Sequence, residues 1–101
     1  MIKFKVCKTS ELPVGEMKLF VIDGKDLLIA NVSGSFYCVQ NTCTHREASL
    51  SEGILLDCSV ICPLHAAQFD LKSGKASFGL PILDLKTYPI FIENENIFIG
   101  I

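Results

Sequence analysis

Short stretches in which apolar and polar positions alternate dominate both ends of the chain. IKFKVC, EMKLFVI, DLLIANV, SFYCVQ, TYPIFIE and NIFIGI are all rich in Ile, Val, Phe and Tyr. A period of two is what a strand shows when one of its faces packs on a core. The runs are punctuated by Asp23-Gly24, Ser33-Gly34, Ser73-Gly74 and Glu93-Asn94-Glu95-Asn96, residue types that tolerate the positive φ of tight hairpin turns. The pattern predicts an all-β chain built on an antiparallel scaffold. There is no internal repeat, low-complexity tract or linker, and 101 residues suffice for one modest core but not for two. Residues 1–101 are therefore expected to form a single domain.

Residues 41–68 break the alternation. NTCTHREASLSEG has no clear period, CPLHAAQFD opens on a proline-stiffened turn, and Arg46 to Leu50 could supply one helical turn at most. An irregular insertion of this length in a small β domain points to function.

Composition narrows the choice of function. Nine basic residues against eleven acidic ones give a formal charge of -2, with no block of like charge. Nucleic acid and anionic membrane surfaces both require concentrated Lys and Arg, so neither is expected as a partner. The N-terminal MIKFKVCKTSEL lacks the apolar stretch of an export signal, and no segment reaches the roughly 18 apolar residues of a membrane span. The expectation is a soluble, cytoplasmic protein. Five cysteines are an odd number for a disulfide framework, and in a reducing compartment such thiols are better read as metal ligands.

The insertion supplies the ligand pattern. Cys43-Thr44-His45 and Cys62-Pro63-Leu64-His65 give C-x-H-x16-C-x2-H and use both histidines of the chain. Each loop offers one soft thiolate and one borderline imidazole. A tetrahedral zinc ion would accept two sulfurs and two nitrogens. Zinc fingers, however, usually pair like with like, whereas mixed loops suit two adjacent irons, both cysteines on one and both histidines on the other.

CTHREASLSEG, CPLHAAQFDLKSGKA, the later LP and LKTYPI together resemble the Rieske-type [2Fe-2S] ferredoxins that serve bacterial aromatic-ring dioxygenases. Glu11-Leu12-Pro13, Gly15-Glu16, Asp23-Gly24 and Phe36-Tyr37 extend the likeness over nearly the whole chain. The resemblance implies a Rieske iron-sulfur fold, an antiparallel β sandwich or barrel with a small cluster-binding subdomain of two ligand loops. It implies one [2Fe-2S] cluster, with Cys43 and Cys62 on the buried iron and His45 and His65 on the outer one. Pro81 falls where the family places a proline loop over the cluster. Glu47 and Ala66 stand where relatives commonly have glycine, and Ala48 and Leu64 where high-potential relatives have a disulfide. Ala67 and Phe69 replace a Ser and a Tyr whose hydroxyls raise the potential in those relatives, so a potential low in the Rieske range is expected.

Cys7, Cys38 and Cys58 are expected to be core residues. Leu64 is read either as ordinary packing or as a shield over the cluster, and Arg46 and Glu47 as solvated loop charges. A cluster with all four protein positions taken leaves no site for substrate, and the chain has no nucleotide loop or nucleophile-base pair. The resemblance thus implies a monomeric one-electron carrier, not an enzyme, that docks transiently with a flavin-dependent reductase and a terminal oxygenase. The alternatives are a small subunit of an assimilatory nitrite reductase, which shares the fold, and a zinc-stabilised interaction module.

Overall fold

The computed structural model describes residues 1–44, 48–64, 67–78 and 83–101. Its strands are β1 (Lys3–Lys8), β2 (Met17–Ile22), β3 (Lys25–Val32), β4 (Ser35–Gln40), β5 (Ile54–Leu56), β6 (Ser59–Ile61), β7 (Gln68–Asp70), β8 (Ala76–Phe78), β9 (Thr87–Tyr88), β10 (Ile90–Glu93) and β11 (Asn96–Gly100). They form three antiparallel sheets in the orders β1-β11-β10, β2-β3-β4-β9 and β5-β6-β7-β8. Among the described residues the only helical segments are the 3-10 turns Thr9–Glu11 and Leu50–Glu52. No helix among them is long and apolar enough to cross a membrane.

The side-chain alternation of β3 explains how the sheets stack. Leu27 and Ile29 join a buried cluster with Leu12, Cys38, Ile97 and Ile99, while Leu28 and Ala30 join a second one with Val39, Val60 and Phe69. The middle sheet is therefore covered on both faces, which is why Leu27 to Ala30 is an unbroken apolar run although the sheet is antiparallel. The first cluster joins it to β1, β10 and β11, and the second joins it to the β5-β8 sheet.

Tight turns fall where the sequence places them. Asp23-Gly24, Ser33-Gly34 and Asn94-Glu95 all adopt positive φ, the geometry whose twist matches the flanking strands. TYPIFIE is not one strand. Tyr88 pairs with Cys38 in the middle sheet and Ile90 with Ile99 in the outer one, and Pro89, which has no N–H to give a ladder, sits at the crossing. Nor is the insertion irregular throughout. β5 and β6 form a hairpin within it, around the positive-φ Asp57, and their sheet continues to Phe78, past the expected limit at residue 68. Strands of three residues are too short to reveal a period of two.

Candidate metal centre

The two cysteine-histidine segments are closed in the same way. The backbone N–H of Cys43 donates to the carbonyl of Ala48 at 3.0 Å, and that of Cys62 to the carbonyl of Ala67 at 2.8 Å. Each cysteine thus opens a six-residue loop, residues 43–48 and 62–67, sealed by its own amide. Cys43 is 4% exposed and Cys62 2%, and both belong to the buried cluster that contains Phe69 and Val60. None of the five cysteines is in a disulfide.

Side-chain amides fix the stem of the first loop. Gln40 donates through Nε2 to the Thr42 carbonyl at 2.8 Å and accepts the Lys86 N–H at Oε1, 2.7 Å away. Buried Asn41 donates through Nδ2 to Ser49 Oγ at 2.8 Å and accepts the Ser51 N–H at 3.0 Å. Thr42 and Ser49 form an isolated antiparallel bridge across the stem.

Residues 83–86 pass beside this loop as a strap. The Thr44 hydroxyl donates to the Leu83 carbonyl at 2.5 Å, and the Asp84 carboxylate accepts the Ala76 N–H at 3.0 Å. The Leu85 N–H donates to the Gly74 carbonyl at 2.7 Å. Asp70 shapes the hairpin beneath by accepting both the N–H and the hydroxyl of Ser73 at 2.8 Å.

His45, His65, Arg46, Glu47, Ala66 and Pro81 lie outside the described residues. Among the described candidates, Cys43 and Cys62 share one buried cluster, and Ala67 and Phe69, which stand where high-potential relatives are expected to carry hydroxyls, are buried in it with them. Leu64 is 60% exposed, so it is not packed in the core. Two buried thiols at the mouths of equivalent loops, each loop also containing a histidine position, fit an iron pair held by sulfur on its inner side.

The other thiols are packing residues. Cys38 lies in the core between the outer and middle sheets, and burial pushes its thiol up to about 12. Cys7 and Cys58 pack against the two cores from their edges. The Cys7 thiol is raised first by burial and then by the nearby Glu11 carboxylate, with Lys18 opposing. Only the thiolate reacts with alkylating agents, and a thiol at about 12 is ionised in about one molecule in ten thousand at pH 8. Iodoacetamide treatment at that pH is expected to leave Cys38 unmodified until the protein unfolds, as read by peptide mass spectrometry. Rapid labelling of Cys38 in the native protein would contradict this burial.

Sequence reasoning missed the supporting groups Gln40, Asn41 and Asp84, and read Gly74 as a turn residue only. The available signal was the amide pair Gln40-Asn41 directly before TCTH, followed by Ser49 and Ser51 just past the loop.

A family profile described as the Rieske [2Fe-2S] domain matches residues 2–89. The chain is 43% identical to the 3-phenylpropionate/cinnamic acid dioxygenase ferredoxin subunit of Shigella boydii serotype 4 (strain Sb227), over all of this chain and 95% of the relative. The ferredoxin of carbazole 1,9a-dioxygenase from Nocardioides aromaticivorans IC177 superposes with a TM-score of 0.94 at 24% identity, covering 99% of this chain and 98% of that one, a likeness of fold alone. A chain from a complex of reduced oxygenase and oxidized ferredoxin in carbazole 1,9a-dioxygenase superposes with a TM-score of 0.93 at 28% identity, covering 98% of this chain and 93% of that one.

Proposed function

Because the chain belongs to the Rieske [2Fe-2S] domain family, we propose that it carries single electrons to the terminal oxygenase of an aromatic-ring dioxygenase system. It is an electron-transfer protein rather than a catalyst. The observation that carries this reading is the matched pair of amide-closed loops with their cysteines buried in one cluster. The relatives are named as ferredoxins of dioxygenase systems, which favours the carrier over a nitrite reductase subunit.

Cys43, His45, Cys62 and His65 would hold the cluster, which supplies a one-electron couple when bound. The two cysteines enter from the buried side, where Val60, Phe69 and Leu50 exclude water. Pro63 and Leu64 are exposed on the second loop and would meet the partner there. A flavin-dependent reductase would load the electron. Weak docking of a monomer in the cytoplasm suits a carrier that must release each partner in turn, and we take residues 1–101 as one functional domain.

The test is electron paramagnetic resonance of the dithionite-reduced protein, with iron and acid-labile sulfide assayed on the same sample, followed by mixing with a dioxygenase oxygenase component. A Rieske-type signal that the oxygenase discharges is the expected result. A colourless zinc protein would overturn the reading.

The midpoint potential is expected near the low end of the Rieske range, which starts at about -150 mV. Ala67 and Phe69 are buried beside the thiols without a hydroxyl to give, and hydrogen bonds to sulfur favour the more negative reduced state. In voltammetry Ala67→Ser should move the midpoint upward. A wild-type value well above zero would show that other donors dominate.

A further inference from the structure

We infer that Asn41 is the positioning residue that keeps the first ligand loop closed and thereby holds Cys43 in place. The inference deepens the proposed function and rests on its reading of Cys43 as a ligand.

Asn41 uses its carbonyl and both ends of its carboxamide to bond the residues that follow the loop. Its backbone N–H donates to the Asp26 carbonyl at 3.0 Å, which anchors it to the start of β3. Its other partners all lie in residues 49–51, directly after the loop. Its carbonyl accepts the Leu50 N–H at 2.8 Å, Oδ1 accepts the Ser51 N–H at 3.0 Å, and Nδ2 donates to Ser49 Oγ at 2.8 Å. Ser49 and Ser51 hydroxyls join at 2.8 Å and complete the ring. The side that enters the loop is thus bonded to the side that leaves it, two residues before Cys43.

The clamp stands beside solvent. A groove open to water is lined by Asn41, Thr42, Ala48, Ser49, Ser51 and Glu52, while Asn41 itself is 3% exposed. Removing its carboxamide would leave the Ser51 N–H without its acceptor at the groove wall, and water replacing that acceptor would part the strands of the stem. The Cys43–Ala48 hydrogen bond is the next one along.

The chain provides its own control. Asn31 is the other buried asparagine, and it too makes one donor and one acceptor bond through its carboxamide, to the Leu12 carbonyl at 2.8 Å and from the Gly34 N–H at 2.9 Å. Those bonds join a hairpin to the Leu12 turn and involve neither ligand loop. Each carboxamide makes two bonds, but only Asn41 lies in the stem of the loop that Cys43 opens.

The experiment follows loss of the visible iron-sulfur absorbance from oxidised protein in excess EDTA, with thermal melting and the reduced electron paramagnetic resonance spectrum recorded on each variant. Asn41→Ala is expected to release iron about tenfold faster or more, the lower end of the usual effect of losing a group that supports a metal ligand, and to broaden the spectrum. Asn31→Ala should melt earlier yet keep wild-type release and line shape. Ser49→Ala removes the acceptor of Nδ2 and the link to the Ser51 hydroxyl but leaves the Asn41 Oδ1 bond to the Ser51 N–H, and it should release iron at an intermediate rate, which keeps the test open if Asn41→Ala fails to fold. Wild-type release in the position 41 and 49 variants, or equal acceleration in Asn31→Ala, would overturn the inference while leaving the carrier function intact. Wild-type protein without iron would overturn the ligand reading, and this inference with it.

Discussion

Gly74→Ala is expected to be among the most damaging single-methyl changes in the chain, lowering stability by about 3 kcal/mol through combined overpacking and backbone strain. A Cβ built on Gly74 would lie 2.1 Å from the Leu85 carbonyl oxygen, a contact no side chain survives, and the residue has φ +77°. Relief requires Leu85 to move, but the Leu85 N–H is bonded to the Gly74 carbonyl and its side chain is buried in the ligand-side core. The strap at 83–86 would shift with it and take along the Leu83 carbonyl that anchors Thr44. For a chain of this size the melting temperature should fall on the order of 15 °C. Gly15→Ala is the control: its φ is +85°, but no heavy atom lies within 4 Å of the added methyl, so only the strain of about 1 kcal/mol remains. Equal melting temperatures for the two variants would mean that the strap yields freely.

The long strands were legible in the sequence because one face of each is buried, and burial over six or more residues forces the period of two. Even β3, unbroken in its apolar run from Leu27 to Ala30, kept its turn residues Asp23-Gly24 and Ser33-Gly34 as boundaries. The ligand pairs were legible for a different reason: cysteine and histidine at short spacing carry chemistry that few other residues supply. What could not be read is what supports them. β5 to β8 have three residues each, too few to separate a strand from a loop by pattern. Gln40, at the end of the SFYCVQ run, and Asn41, at the start of the insertion, show no special role until their partners at 42, 49, 51 and 86 are brought together by the fold. Gly74 appeared only as a turn residue, because its approach to Leu85 joins segments eleven positions apart around a loop.

Cys62→Ser is expected to abolish iron and acid-labile sulfide binding outright, whereas Cys58→Ser should retain both and the full resonance signal. The two cysteines are four positions apart and pack on the same core, so a general loss of packing would affect the variants alike. Only Cys62 opens an amide-closed loop, and only Cys62 of the two is almost wholly buried at the proposed inner side of the centre. A serine hydroxyl stays protonated at neutral pH and is a harder, weaker donor than the soft thiolate that iron-sulfur sites select. The fold should survive in part, because the core formed by Leu12, Leu27, Ile29, Cys38, Ile97 and Ile99 contains no ligand. Circular dichroism of Cys62→Ser should therefore remain β-rich while the visible spectrum is lost. If Cys58→Ser lost the cluster and Cys62→Ser kept it, the C-x-H and C-x2-H pairing would be wrong and the second loop would have to be redrawn around Cys58. If both kept iron, the metal would have to be held without the second cysteine at all, and the carrier reading would lose the symmetry of the two loops on which it rests.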